Sequence, residues 1–135
     1  MNLEPEFLTV DDVLEIHRRQ VGRYGGTEGL RDRGLLESAV AAPQAAFGGE
    51  LLHSNLFEIA AAYAFHVAQN QPFVDGNKRT GLLCALGFLD INGITISEPS
   101  PELYDAMIGI AEKRLDKKGL AEILKNLAGA GDDRS

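Results

Sequence analysis

The chain has 135 residues, the size of a single domain, and 44% of them are hydrophobic against 24% charged, the balance of a folded globular protein rather than a disordered one. Thirteen Lys and Arg stand against 20 Asp and Glu, a formal charge of −7, which argues against a general binder of nucleic-acid backbones because such a surface is basic. The single cysteine, Cys84, excludes an internal disulfide framework and a cysteine zinc cluster.

The opening residues Met1 to Glu6 lack the basic and apolar regions of a secretory signal. No apolar run approaches the ~18 residues of a membrane span. The longest, Thr80 to Leu89, is interrupted by Gly81 and Gly87 and followed by Asp90. A cytoplasmic protein is the expectation, with no membrane partner.

In chain order, Thr9 and Asp12 resemble a capping box that opens a helix over about 10–24, stopped by Gly25-Gly26. A loop carries Thr27 to Leu30. Asp32 then caps a short helix through Leu35, Leu36, Ala39 and Val40, limited by Pro43. Ala45 to Leu52 stays open between a turn and a mobile flap, because of Phe47-Gly48-Gly49. Ser54 reads as the N-cap of a helix to about Gln71 that is apolar nearly all round, the mark of a buried central helix. After a break at Pro72 to Gly76, a second apolar helix runs from Asn77 or Lys78 to about Ile91, closed by Asn92-Gly93. Ile94-Thr95-Ile96 is short and alternating, an edge segment. Ser100-Pro101-Glu102 starts a helix to about Leu115, and Asp116 caps a last one to about Ala128. The expected architecture is an all-α single domain over residues 1–128 with a frayed tail at 129–135.

The segment that carries chemistry is Gln71-Pro72-Phe73-Val74-Asp75-Gly76-Asn77-Lys78-Arg79-Thr80. A loop feeding a helix N-terminus leaves backbone N–H groups unpaired at the positive end of the helix dipole, a geometry that binds phosphate. Gly76 lets the backbone approach a ligand, and Asn77 can cap the helix and donate. Lys78 and Arg79 place two cations in a first turn, where they oppose the dipole; a polyphosphate would reverse that penalty, and Asp75 beside it could hold Mg²⁺. The same residues also read as a plain helix-capping loop with two solvated cations. A Walker loop fits poorly, because the glycines and the Lys-Ser/Thr ending are wrongly spaced.

Phe73 to Thr80 resembles the motif His-x-Phe-x-Asp/Glu-Gly/Ala-Asn-Gly/Lys-Arg of the Fic/Doc superfamily. Lys78 after the asparagine is similar to the death-on-curing (Doc) toxins rather than to the nucleotidyl-transferring Fic enzymes, which usually have glycine there. Arg23 to Gly26, Arg31 to Ala39, Leu56 to Glu58 and Phe88-Leu89 before Asn92-Gly93 look like the same branch, so the resemblance covers about residues 8–125.

The resemblance implies a small helical toxin that transfers phosphate from ATP to a threonine of elongation factor Tu and is held in check by an antitoxin. By motif position, Asp75 would coordinate Mg²⁺, and Gly76 and Asn77 would form the anion-binding turn. Lys78 and Arg79 would hold ATP phosphates, and Phe73 would anchor the loop. The Phe47-Gly48-Gly49 region would be the flap that aligns a target strand. The motif's leading histidine, the general base, is replaced by Gln71, which can orient a hydroxyl but cannot take its proton near neutral pH. Losing a positioned base costs ~10²–10⁴ in rate. A catalytically inactive relative that binds nucleotide or a partner, and a nucleotidyl transferase, are the competing readings. His66 lies five positions before Gln71, a net turn of about 140° away on a helix, and reads as a packing residue rather than a substitute base. His17 and His53 read as surface or packing residues, and Cys84 as a buried structural thiol.

Overall fold

Helix α1 (Val10–Tyr24) begins at a reciprocal capping box: Asp12 N–H donates to Thr9 Oγ1 at 3.1 Å, and Thr9 N–H to Asp12 Oδ2 at 2.8 Å. The computed structural model describes residues 4–53, 55–96 and 100–132. Gly25 ends α1 with φ 87°, and Asp32 caps α2 (Arg33–Ala41) by accepting the Leu35 N–H at 2.9 Å. Pro43 lies within the 3₁₀ turn Ala42–Gln44 that follows. The ambiguous stretch after it is a small hairpin. There β1 (Ala46–Phe47) pairs antiparallel with β2 (Glu50–Leu51) around Gly48 and Gly49, both at positive φ.

Helix α3 (Leu56–Asn70) is capped by Asn55, whose side chain accepts the Glu58 N–H at 2.9 Å. The cap therefore falls one residue after Ser54, which lies outside the described residues; Asn and Ser are equally good N-caps, so sequence could not separate them. The helix is the hub of the fold and packs against α2, α4 (Asn77–Ile91), α5 (Pro101–Ala111) and α6 (Lys117–Asp132). Its alanines allow close approach. At the crossing with α4, a Cβ on Gly81 would lie 2.8 Å from the Ala64 carbonyl oxygen, so glycine sets how near the two helices come. Tyr63, Phe88, Leu36, Ile59, Leu103 and Leu124 are fully buried around this hub. Tyr63 also ties down the N-terminal segment, accepting the Leu8 N–H at 2.9 Å and donating to the Leu8 carbonyl at 3.3 Å.

Two helix ends depart from the sequence reading. Helix α5 starts at the expected Ser100 cap but stops at Ala111, four residues before Leu115. Lys113 takes a left-handed φ of 63°, and the Arg114 and Leu115 N–H groups turn back onto the Gly109 carbonyl. No glycine marks that turn, so its composition gave no stop signal. Helix α6, with Asp116 accepting the Gly119 N–H at 2.8 Å, continues past Ala128 to Asp132. Residues 94–96 form no strand, so the expected edge segment is absent from the described residues. Among those residues no helix is long and apolar enough to cross a membrane. Among the described residues the fold is six α-helices, one 3₁₀ turn and one hairpin of two-residue strands, mostly helical as the patterning implied.

Candidate active site

Helix α3 ends at Gln71, which adopts a left-handed φ of 50° and ψ of 57° although it is not glycine and precedes proline. Such a conformation costs of order 1–3 kcal/mol. Arg31 offsets it: its Nε donates to the Gln71 carbonyl at 2.7 Å and its Nη2 to the Asn70 carbonyl at 3.0 Å, satisfying the open end of α3. The Gln71 side chain is exposed at the mouth of the loop.

The next residues are clamped from two sides. Arg31 and Asp32 N–H groups both donate to the Pro72 carbonyl, at 2.7 and 3.0 Å, and Val74 N–H donates to the Gly29 carbonyl at 3.0 Å. Phe73 is buried. Its ring stacks on His17 with centroids 3.8 Å apart and planes 4° from parallel, while His17 Nε2 lies 2.8 Å from the Asp75 carbonyl oxygen. Asn77 holds Phe73 from the other direction: its Oδ1 accepts the Phe73 N–H at 2.9 Å and its Nδ2 donates to the Phe73 carbonyl at 3.0 Å. This corrects the reading of Asn77 as a cap. The N-cap is Gly76, with no side-chain capping bond, and the Asn77 amide is spent on the loop itself.

Helix α4 therefore starts with its first N–H groups free of side-chain caps, the anion-binding arrangement of helix N-termini. Gly76 sits at φ 78°, which favours glycine, and a Cβ there would meet the Gln20 side-chain amide, which would have to move. The Asp75 carboxylate accepts its neighbour's N–H at Gly76 (2.9 Å) and that of Thr27 (3.2 Å) but remains exposed. Gly26 makes room for it, since a Cβ there would stand 2.8 Å from Asp75 Oδ2.

Lys78 is exposed, and the Arg79 guanidinium lies over the Tyr24 ring at 4.6 Å. Asp75 to Arg79 line a cleft of ≈ 270 Å³ whose opposite wall is Tyr104, Met107 and Ile108 of α5. Of five buried side-chain polar atoms without a partner among the described residues, four belong to Gln20, Arg79 and Thr80 around this helix start. Of these residues Arg79 lines the cleft, and Gln20 lies against Gly76.

Among the described residues no cluster of three or more His, Cys, Asp or Glu could hold a metal by itself. The exposed Asp75 carboxylate still suits Mg²⁺, which commonly takes one or two carboxylates and completes its shell with water and substrate phosphates. The site thus fits a metal that arrives with a phosphate ester.

The other histidines stand apart from the loop. His66 Nε2 is 3.2 Å from Lys117 Nζ, and burial, then the lysine charge, pushes its pKa down to about 4. His53 is likewise lowered, by burial first and Lys117 second. Cys84 is fully buried and its thiol pushed up by desolvation, the inert thiol the sequence implied. His17, Gln20 and Arg31 were the residues sequence reasoning missed. For the first two a signal existed, because His17 and Gln20 share the buried stripe of α1 with Val13 and Val21. Polar side chains on an apolar stripe are placed there for a partner.

The start of α4, with its two cations, thus lines a cleft whose opposite wall is α5. The sequence profile of the Fic/DOC family matches residues 7–89, and the chain belongs to that family. It is 34% identical over 125 residues to protein kinase doc of Escherichia phage P1, covering 93% of this chain and 98% of that protein. It is 36% identical over 127 residues to toxin Doc of Mycolicibacterium smegmatis (strain ATCC 700084 / mc(2)155), covering 93% and 95%.

Proposed function

We propose that the protein is a Doc-type toxin that transfers a phosphate from ATP to a protein hydroxyl, with elongation factor Tu as the target and an antitoxin as its partner. The observation that carries this reading is the uncapped start of α4 with Gly76, Lys78 and Arg79 on the rim of one cleft. The free N–H groups of the α4 start, which the turn at Gly76 aims outward, receive phosphate oxygens, and Lys78 and Arg79 balance the charge that develops as the terminal phosphorus leaves ADP and bonds to the target oxygen. Asp75 would hold Mg²⁺, which would supply neutralisation of phosphate charge. Gln71 orients the target hydroxyl, whose proton passes to solvent. Phosphoryl transfer relies chiefly on position and charge, so the replacement slows the reaction without removing its basis.

The exposed Gln71 favours a second reading, an inactive relative that only binds nucleotide or partner. Lys78, where nucleotidyl transferases of the superfamily usually have glycine, weighs against AMP transfer. Intact mass of elongation factor Tu after incubation with ATP, Mg²⁺ and this protein separates the three. A phosphate-sized gain that is lost in Arg79→Ala is the expected result. A nucleotide-sized gain reassigns the reaction. No gain, together with ATP binding, supports the binding module.

A further inference from the structure

Arg79 lies in the first turn of α4, where the helix dipole disfavours a cation, and its guanidinium meets no carboxylate among the described residues. A carboxylate partner would steady it but would compete with an anionic ligand for the same N–H groups. Aromatic faces can hold a guanidinium without using any of them. The guanidinium carbon is 4.6 Å from the centroid of Tyr24, the last residue of α1, and 6.0 Å from that of Tyr104 on α5. Arg79 Nε is buried and has no hydrogen-bond partner, so at least one donor is held in reserve. Arg23 lies 5.5 Å from the same Tyr24 ring, which places the ring beside two cations that would otherwise repel.

We infer that Tyr24, assisted by Tyr104, is a positioning residue that fixes the Arg79 guanidinium at the cleft while leaving its N–H groups free for phosphate. The inference rests on the phosphate-binding reading of Arg79 above. It explains why a half-exposed tyrosine, 46% accessible, ends α1 next to the motif loop.

The test is ATP–Mg²⁺ affinity by calorimetric titration of the full chain and its Tyr24→Phe, Tyr24→Leu and Arg79→Ala variants, with the Tyr24→Leu/Arg79→Ala double variant. A cation–π contact predicts that Tyr24→Phe keeps the parent affinity and Tyr24→Leu weakens it roughly three- to tenfold. In the Arg79→Ala background Tyr24→Leu should change nothing further, the mark of a residue acting through Arg79. Should Tyr24→Leu misfold, Tyr104→Phe against Tyr104→Leu makes the same comparison from α5. Equal affinity of the Phe, Leu and parent proteins overturns the clamp alone. An equal loss with and without Arg79 also overturns it, because Tyr24 would then act by another route. An Arg79→Ala protein that binds ATP like the parent overturns the phosphate-site reading and the clamp together.

Discussion

His17 Nε2 lies 2.8 Å from the carbonyl oxygen of Asp75 while its ring stacks on Phe73 two residues earlier. One side chain of α1 thus fixes both the buried anchor of the motif loop and the backbone of its acidic residue. With a carbonyl as acceptor, Nε2 must carry the proton, so this imidazole is committed as a donor. It positions the loop.

Replacing His17 by Phe keeps the stack and removes the donor. The expected cost is about 1–3 kcal/mol in denaturant unfolding, the penalty for leaving a partly buried acceptor unmet, together with weaker ATP–Mg²⁺ binding because Asp75 loses its hold. An unchanged midpoint and affinity would remove His17 from the machinery of the site.

Gly76→Ala meets two obstacles, a left-handed φ of 78° and the Gln20 amide. It should abolish measurable ATP binding in calorimetry. Adding Gln20→Ala relieves the collision but not the backbone strain, worth roughly 1 kcal/mol or more, so the double variant should recover only part of the affinity. Full recovery would show that the strain is immaterial.

Gly81→Ala tests the core rather than the site. Its Cβ would stand 2.8 Å from the Ala64 carbonyl oxygen, backbone that moves only if α3 and α4 separate. A loss of about 1–3 kcal/mol in unfolding free energy, read from urea titration, is expected, in the range of overpacked cores.

The fold and the loop were legible in sequence to different degrees. Helix starts were readable because capping is local: Thr9, Asp32, Ser100 and Asp116 each cap as their side-chain chemistry implies. The end of α5 was not, because Lys113 takes a left-handed conformation that nothing in its type announces. The motif residues of the candidate site were visible as a string, but their supports were not. Asn77 reads as a cap and proves to be a brace for Phe73; Arg31, given no structural role from sequence, closes the end of α3 across 40 positions. Long-range partners of this kind depend on how helices pack, and local pattern does not encode that.

His66 supplies a pH dependence whose sign follows from its depressed pKa of about 4 against an ordinary value of 6.5. Between those values the unfolded chain binds a proton that the folded chain excludes, so stability is full above about pH 6.5 and falls as pH drops towards 4. Below that the contribution levels off. Urea midpoints measured from about pH 7.5 to about pH 4.5 should fall less steeply in His66→Gln than in the parent. Parallel curves would mean that His66 is not held neutral by burial and Lys117.

On the proposed function, the start of α4 works as a phosphoryl-transfer site limited by Gln71. The most direct test is the initial rate of phosphate incorporation into elongation factor Tu by the parent, Gln71→His and Gln71→His/Arg79→Ala. A restored base should raise the rate roughly 10²–10⁴-fold, and loss of Arg79 should return it to background. A Gln71→His protein that folds, binds ATP and still transfers no phosphate would contradict the account.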